Sequence, residues 1–170
     1  MRTIYIMSGV PGSGKSTYID KHKGQYDLVA RRDNWRTRLR ESMNSKDYFP
    51  VPANQEWEMW IAFLNGLLES ANQTVWIDQT TLGHGALDKL LSALFLTEND
   101  NIVIVKFELD YETIQERNAL RTGLEFVPEN RLQSMYKSHI MKPIDEDAIS
   151  KILSYRNSKC GAFELRRITE

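Results

Sequence analysis

Apolar residues fall along this chain in two alternating rhythms. Short, largely apolar runs occur at 3–7 ("TIYIM"), 27–30 ("DLVA"), 74–78 ("TVWID") and 102–109 ("IVIVKFEL"). They are too brief for helices and rich in β-branched and aromatic side chains, so each predicts a strand. The last is apolar almost throughout, as expected of a strand covered on both faces. Between them the rhythm changes. Trp57, Trp60, Ile61, Leu64, Leu67 and Leu68 recur at helical spacing, as do Leu87, Leu90, Leu91, Leu94 and Phe95. Leu132, Met135, Tyr136, His139 and Ile140 form a third such stripe.

Punctuation sharpens the boundaries. A glycine-rich turn after residue 7 leads into a helix from about Lys15 to Lys21. Residues 41–55 are polar, carry two prolines and predict a loop. Asp110 can cap the helix that follows the fourth strand, with Glu112 and Glu116 favouring its N-terminal half. Gly123 breaks that helix, and Pro128 suits the first turn of the next. A helix near 146–155 and an edge strand near 162–168 complete the pattern. Strands alternating with helices predict an α/β fold, a mostly parallel sheet of four to five strands flanked by helices on both faces. Residues 1–170 read as one domain, with a helical lid at about 117–127 and a segment, 141–170, that carries no motif.

Composition mainly excludes. With 22 Lys+Arg against 23 Asp+Glu, net charge gives no nucleic-acid signal, so only local charge can. No run of 18 or more apolar residues suggests a membrane span, and the N-terminus lacks a signal-peptide pattern. Cys160 is the sole cysteine, which rules out an intrachain disulfide or a cysteine metal cluster and fits a reducing, cytoplasmic setting. His22, His84 and His139 are too scattered for a metal site. His139 reads as a core histidine and His84 as part of a loop.

The strongest motif is "GVPGSGKS" at 9–16, which fits G-x-x-x-x-G-K-S/T and is followed by Thr17. Gly9, Gly12 and Gly14, with Pro11 and Ser13 between them, let successive N–H groups turn inward as an anion nest. The following helix adds its positive end. Lys15 supplies a point charge for β- and γ-phosphates, and the Ser16 hydroxyl can ligate Mg²⁺. The expected ligand is ATP or another nucleoside triphosphate. Asp78 ends the third strand at the carboxyl edge of the sheet, where it can hold a metal-bound water or serve as a turn residue.

No N-K-x-D guanine-reading sequence is present, and the chain is short for a motor ATPase. A small phosphotransferase therefore fits best. Arg117 and Arg121 are four apart, hence on one helical face, and can neutralise charge on a transferring phosphoryl group. The second strand runs into "RRDNWRTRLR" (31–40), with five arginines around one carboxylate. Asp33 can take a proton from an attacking hydroxyl, or cap a helix. Arg36, three residues on, can grip an acceptor phosphate. Trp35 offers either a stacking face for a base or a packing residue.

Four segments together carry a resemblance: "GVPGSGKST" (9–17), "RRDNWR" (31–36), "IDQTTL" (77–82) and "ERNALRTGLEFVPENRLQSMYKS" (116–138). In these the chain resembles the 5′-polynucleotide kinase domain of bacteriophage and RNA-repair enzymes. The resemblance implies transfer of a γ-phosphate to the 5′-hydroxyl of single-stranded or end-exposed DNA or RNA, with Mg²⁺. It makes Asp33 the general base and Arg36 the acceptor-phosphate ligand. Lys15, Ser16, Thr17, Arg117 and Arg121 become donor ligands, and Asp78 the acid after strand three. "DQTT" departs from the family's usual Asp-x-Thr-Asn, so Asp78 and Gln79 both compete for the acidic position. No D-x-D-G-T motif is present, and a kinase without its own 3′-phosphatase activity is expected. A small-molecule kinase acting on a sugar, nucleotide or antibiotic is the alternative, and a homo-oligomer is left open.

Overall fold

The computed structural model describes residues 2–155 and 160–169. Five strands form one sheet: β1 (Arg2–Ser8), β2 (Leu28–Arg31), β3 (Val75–Asp78), β4 (Asp100–Phe107) and β5 (Ala162–Ile168). Their order is β2-β3-β1-β4-β5, and every pairing is parallel. The helices are α1 (Lys15–His22), α2 (Arg32–Ser42), α3 (Ala53–Ser70), α4 (Gly83–Ala93), α5 (Tyr111–Ala119), α6 (Glu129–Met141) and α7 (Glu146–Tyr155). This is the P-loop kinase fold.

The core is lopsided. On one face Ile4, Ile6, Val75, Ile77, Ile102 and Ile104 meet Trp60, Leu64 and Leu68 of α3, Leu87, Leu90 and Leu91 of α4, and Ile149 of α7. The other face is covered by the short α1, whose Ile19 packs on Met7, Trp76, Val103, Val105 and Phe107. Tyr5 stacks flat on Trp76 there, at 3.8 Å and 7°. A third cluster, Val10, Leu109, Ile114 and Leu132, fastens α5 and α6 beside the carboxyl edge of the sheet.

Register puts the chemistry at that edge. Ile6 pairs with Ile77 and Ile104, and Arg31 pairs with Asp78. The turn after β1 therefore emerges beside the ends of β2 and β3. Its start is pinned: Gly9 N–H donates to Thr80 O at 2.9 Å, and the buried Ser8 hydroxyl donates to Thr81 O at 2.7 Å.

Several sequence expectations move by a few residues, for physical reasons. The arginine stretch is helical from Arg32, with Arg31 as its cap, so Asp33 lies in the first turn and is not the N-cap. The 41–55 loop shrinks to 43–52, because α2 and α3 both run into it. Phe95 leaves the α4 stripe, since the helix stops at Ala93 and Phe95 is exposed. Ile140 also faces solvent. Pro128 caps α6 and does not occupy its first turn. Asp110 caps α5 as expected, accepting from Thr113 N–H at 2.7 Å.

Candidate active site

One cleft of about 1360 Å³ runs along the carboxyl edge, from the turn after β1 past α2 to the 121–128 segment. At one end, Gly12 and Gly14 take left-handed conformations, with φ of +83° and +97°, which a side chain would strain. The turn curls around an open hollow, and α1 starts directly behind it. The Ser13 hydroxyl is buried and has no partner.

Lys15 lies folded back. Its Nζ donates to Gly9 O at 2.9 Å and Val10 O at 3.0 Å. Burial pushes its pKa down to about 8, helped by Arg121 and opposed by Asp78 and Asp33. Ser16 Oγ donates to Asp78 Oδ2 at 2.6 Å, and Arg31 approaches the same oxygen at 3.5 Å. Gln79 is engaged elsewhere, since its Oε1 accepts from Trp60 Nε1 at 2.7 Å and its Nε2 donates to Thr81 at 3.1 Å. Of the two candidates for the acidic position, Asp78 is the one that faces the phosphate turn.

Arg117 and Arg121 both line the cleft, but not as neighbours on one helix. The helix ends at Ala119, so Arg117 sits in its last turn and reaches Gly12 O at 3.4 Å. Arg121 follows the helix end, and its Nη1 is buried without a partner. An orphaned guanidinium nitrogen beside a desolvated lysine marks a place where an anion belongs. The segment between is tied at its base. The buried Asn118 side chain donates to Val127 O at 2.7 Å and accepts from Val127 N–H at 3.0 Å.

Across the cleft stand Asp33 and Arg36. The Asp33 carboxylate is 77% exposed, and Arg36 Nη1 lies 3.4 Å from it. Arg36 itself is buried. Its Nη2 donates to Glu56 Oε1 at 3.2 Å, its Nη1 to the Tyr48 hydroxyl at 2.7 Å, and its Nε has no partner. Glu56 is fully buried at the start of α3 and also holds Arg32 through two bonds, 2.7 and 3.2 Å. Trp35 turns the other way, onto Trp60 and Phe63, so it packs the core and offers no face to the cleft.

Residues 4–140 match the model of a family described as an AAA domain. The chain belongs to that family. Among solved structures, this AAA domain is similar to a chain of the Pnkp1/Rnl/Hen1 RNA repair complex, with a TM-score of 0.65 and 23% identity over 81% of its length. It spans only 44% of that chain. It is also similar to a gluconokinase from Sinorhizobium meliloti 1021 (TM-score 0.55, 19% identity, 94% and 81% of the two chains). A tunicamycin resistance protein of Deinococcus radiodurans matches as well (TM-score 0.55, 12% identity, 93% and 97%). No curated protein sequence matches significantly. At these identities the structural likenesses establish the fold.

The AAA domain's sequence hid three site residues. Glu56 is four before Trp60, so it rides the apolar stripe of α3, and a carboxylate on such a stripe is a signal of a buried partner. Tyr48 comes from the 43–52 loop, where no periodicity points anywhere. Asn118 is one polar residue among many in α5. His139, expected as a core histidine, is buried with Nε2 2.8 Å from Phe107 O. His84, expected in a loop, opens α4, and its N–H donates to Lys142 O at 2.9 Å.

Lys15 gives a pH prediction. Near pH 8 the unliganded lysine starts to lose its proton. A bound polyphosphate favours the charged form and raises its pKa. Nucleotide binding above pH 8 therefore takes up a proton, and affinity falls as pH rises, by up to about tenfold per unit. Calorimetry at pH 7 and pH 9 in buffers of differing ionisation enthalpy measures both effects. Equal affinity at the two values would place Lys15 outside the donor site.

Proposed function

We propose that this chain is a polynucleotide 5′-hydroxyl kinase that uses ATP. The observation that carries the reading is the shared cleft: an anion cradle with Lys15 and Arg121 at one end, and the Asp33–Arg36 pair at the other. Asp33 is close enough to act on the charge of Lys15. A carboxylate that shares a cleft with the donor lysine, with a guanidinium one turn away, suits an acceptor bearing a hydroxyl next to a phosphate.

In this reading Arg36, which lines the cleft, fixes the acceptor phosphate, and Asp33 accepts the proton of the attacking 5′-hydroxyl. The new bond joins that oxygen to the γ-phosphorus, and the bond from the γ-phosphorus to the β,γ-bridging oxygen breaks. Lys15, Arg117 and Arg121 then hold charge that spreads over the phosphoryl oxygens. Ser16 and Asp78 are the residues that would hold Mg²⁺, the Asp78 carboxylate through a water. Their hydroxyl and carboxylate form the hard-oxygen set this ion takes, and a bound ion would neutralise phosphate charge. The structural neighbour from an RNA repair complex supports a nucleic-acid acceptor, and the gluconokinase supports a small-molecule acceptor.

Transfer of labelled γ-phosphate to matched 5′-hydroxyl DNA and RNA oligonucleotides, nucleoside 3′-monophosphates and a sugar panel tests the choice. The expected result is labelled oligonucleotide, weakening with salt as phosphate contacts are screened. Label found only in the sugars would overturn it.

A further inference from the structure

Beyond Arg36, the cleft wall holds a feature that one acceptor phosphate does not use. The guanidinium carbons of Arg36, Arg40 and Arg131 lie 4.7, 6.0 and 5.3 Å from the centre of the Tyr48 ring. Three cations from two helices thus gather on one aromatic side chain, which comes from the loop between α2 and α3. Phe49 meets that ring edge-on at 4.8 Å and 86°, and Arg36 also lies 5.0 Å from the Phe49 ring.

The charge here is only partly compensated. Arg36 shares Glu56 with Arg32 and lies 3.4 Å from Asp33, whereas among the described residues Arg40 bonds only neutral oxygens, Tyr48 O at 3.0 Å and Thr37 Oγ1 at 2.8 Å. Among the described residues Arg131 forms no ion pair, and it is exposed on the first turns of α6. Gathering like charges costs energy unless an anion joins them. With its ring occupied by guanidinium groups, Tyr48 is a poor platform for a base. Its effect is to orient cations.

We propose that Tyr48, Arg40 and Arg131 build a second acceptor-phosphate subsite, next to that of Arg36, which takes the second backbone phosphate counted from the reacting end. This rests on the polynucleotide reading and deepens it. The subsite makes the enzyme measure chain length at its shortest, distinguishing a nucleotide chain from a single nucleotide.

The test compares two acceptors in each enzyme: a nucleoside 3′-monophosphate, and a 5′-hydroxyl dinucleotide that also carries a 3′-phosphate. In the native protein the second phosphate is expected to raise kcat/KM about tenfold, the scale of one charge-assisted contact. In Arg131→Gln and Arg40→Gln that ratio falls towards one, and in Arg131→Lys part of it is kept. With longer oligonucleotides, each neutral variant also lowers the salt slope of binding by about 0.7. A folding defect lowers both acceptors alike and leaves the ratio intact. Equal kcat/KM for the two acceptors in the native protein, or an undiminished ratio in both glutamine variants, would overturn the subsite while the kinase reading stands. Transfer to neither acceptor would overturn both.

Discussion

Replacing Asp33 by alanine lowers phosphoryl transfer by about 10²- to 10⁴-fold, the contribution of a positioned general base. Thermal stability stays within about 0.5 kcal/mol, because the carboxylate is 77% exposed and its only ion pair among the described residues is a 3.4 Å approach to Arg36. Nucleotide affinity changes little, since the cradle and the Lys15 bonds to Gly9 O and Val10 O do not involve Asp33. Steady-state kinetics beside direct nucleotide titration make the separation: kcat collapses and donor Kd does not. Asp33→Asn behaves like Asp33→Ala, because an amide cannot accept the proton. Activity near that of the native protein would remove the acceptor model's centre.

The second large effect lies away from the reacting atoms. Glu56 is fully buried and neutralises Arg32 and Arg36, at 2.7 and 3.2 Å. Glu56→Ala leaves Arg32 facing a cavity without its carboxylate, and Arg36 with only the exposed Asp33. Breaking a buried pair in this way costs about 3–5 kcal/mol. Against a total stability of about 5–15 kcal/mol for a domain, that lowers the melting temperature by roughly 10 °C or more. Activity falls further than stability accounts for, because α2 carries Asp33 and is held to α3 through these bonds. Glu56→Gln preserves shape and some hydrogen bonding, so it gives a smaller fall in both. A double-mutant cycle with Arg32→Met measures the coupling, since removing both charges relieves the burial of an unpaired ion. An unchanged melting temperature in Glu56→Ala would show that the cluster rearranges freely.

Most of the architecture is legible in the amino-acid sequence, and the reasons are physical. Buried parallel strands have few alternatives: "IVIVKFEL" opens with apolar residues on both faces and so lies between layers. The cradle is legible because its function needs glycine at fixed places in a fixed order between strand and helix. The arginine stretch is only half legible. Its sequence shows charge but not direction, and in the fold the arginines part company. Arg31 turns to Asp20 and Asp78, Arg32 and Arg36 turn inward to Glu56, and Arg40 reaches the Tyr48 backbone. Arg38 faces solvent. Trp35 shows the same limit from the other side: an aromatic beside a catalytic candidate looks like a ligand platform until Trp60 is found beneath it. Arg117 and Arg121 reach the same cleft by different routes, because the helix that spacing extended through both ends between them.

The strand order also bears on how the protein is born. The phosphate-binding turn hangs from β1, which leaves the ribosome before the other four strands of its sheet. Yet β1 is flanked on its two sides by β3, with Ile4 beside Val75, and by β4, with Ile4 beside Ile102. β1 must wait for partners encoded far downstream, a non-local arrangement that slows folding and leaves apolar surface bare meanwhile. A nascent chain halted before Asp100 carries the whole nucleotide motif on a strand with one edge still open.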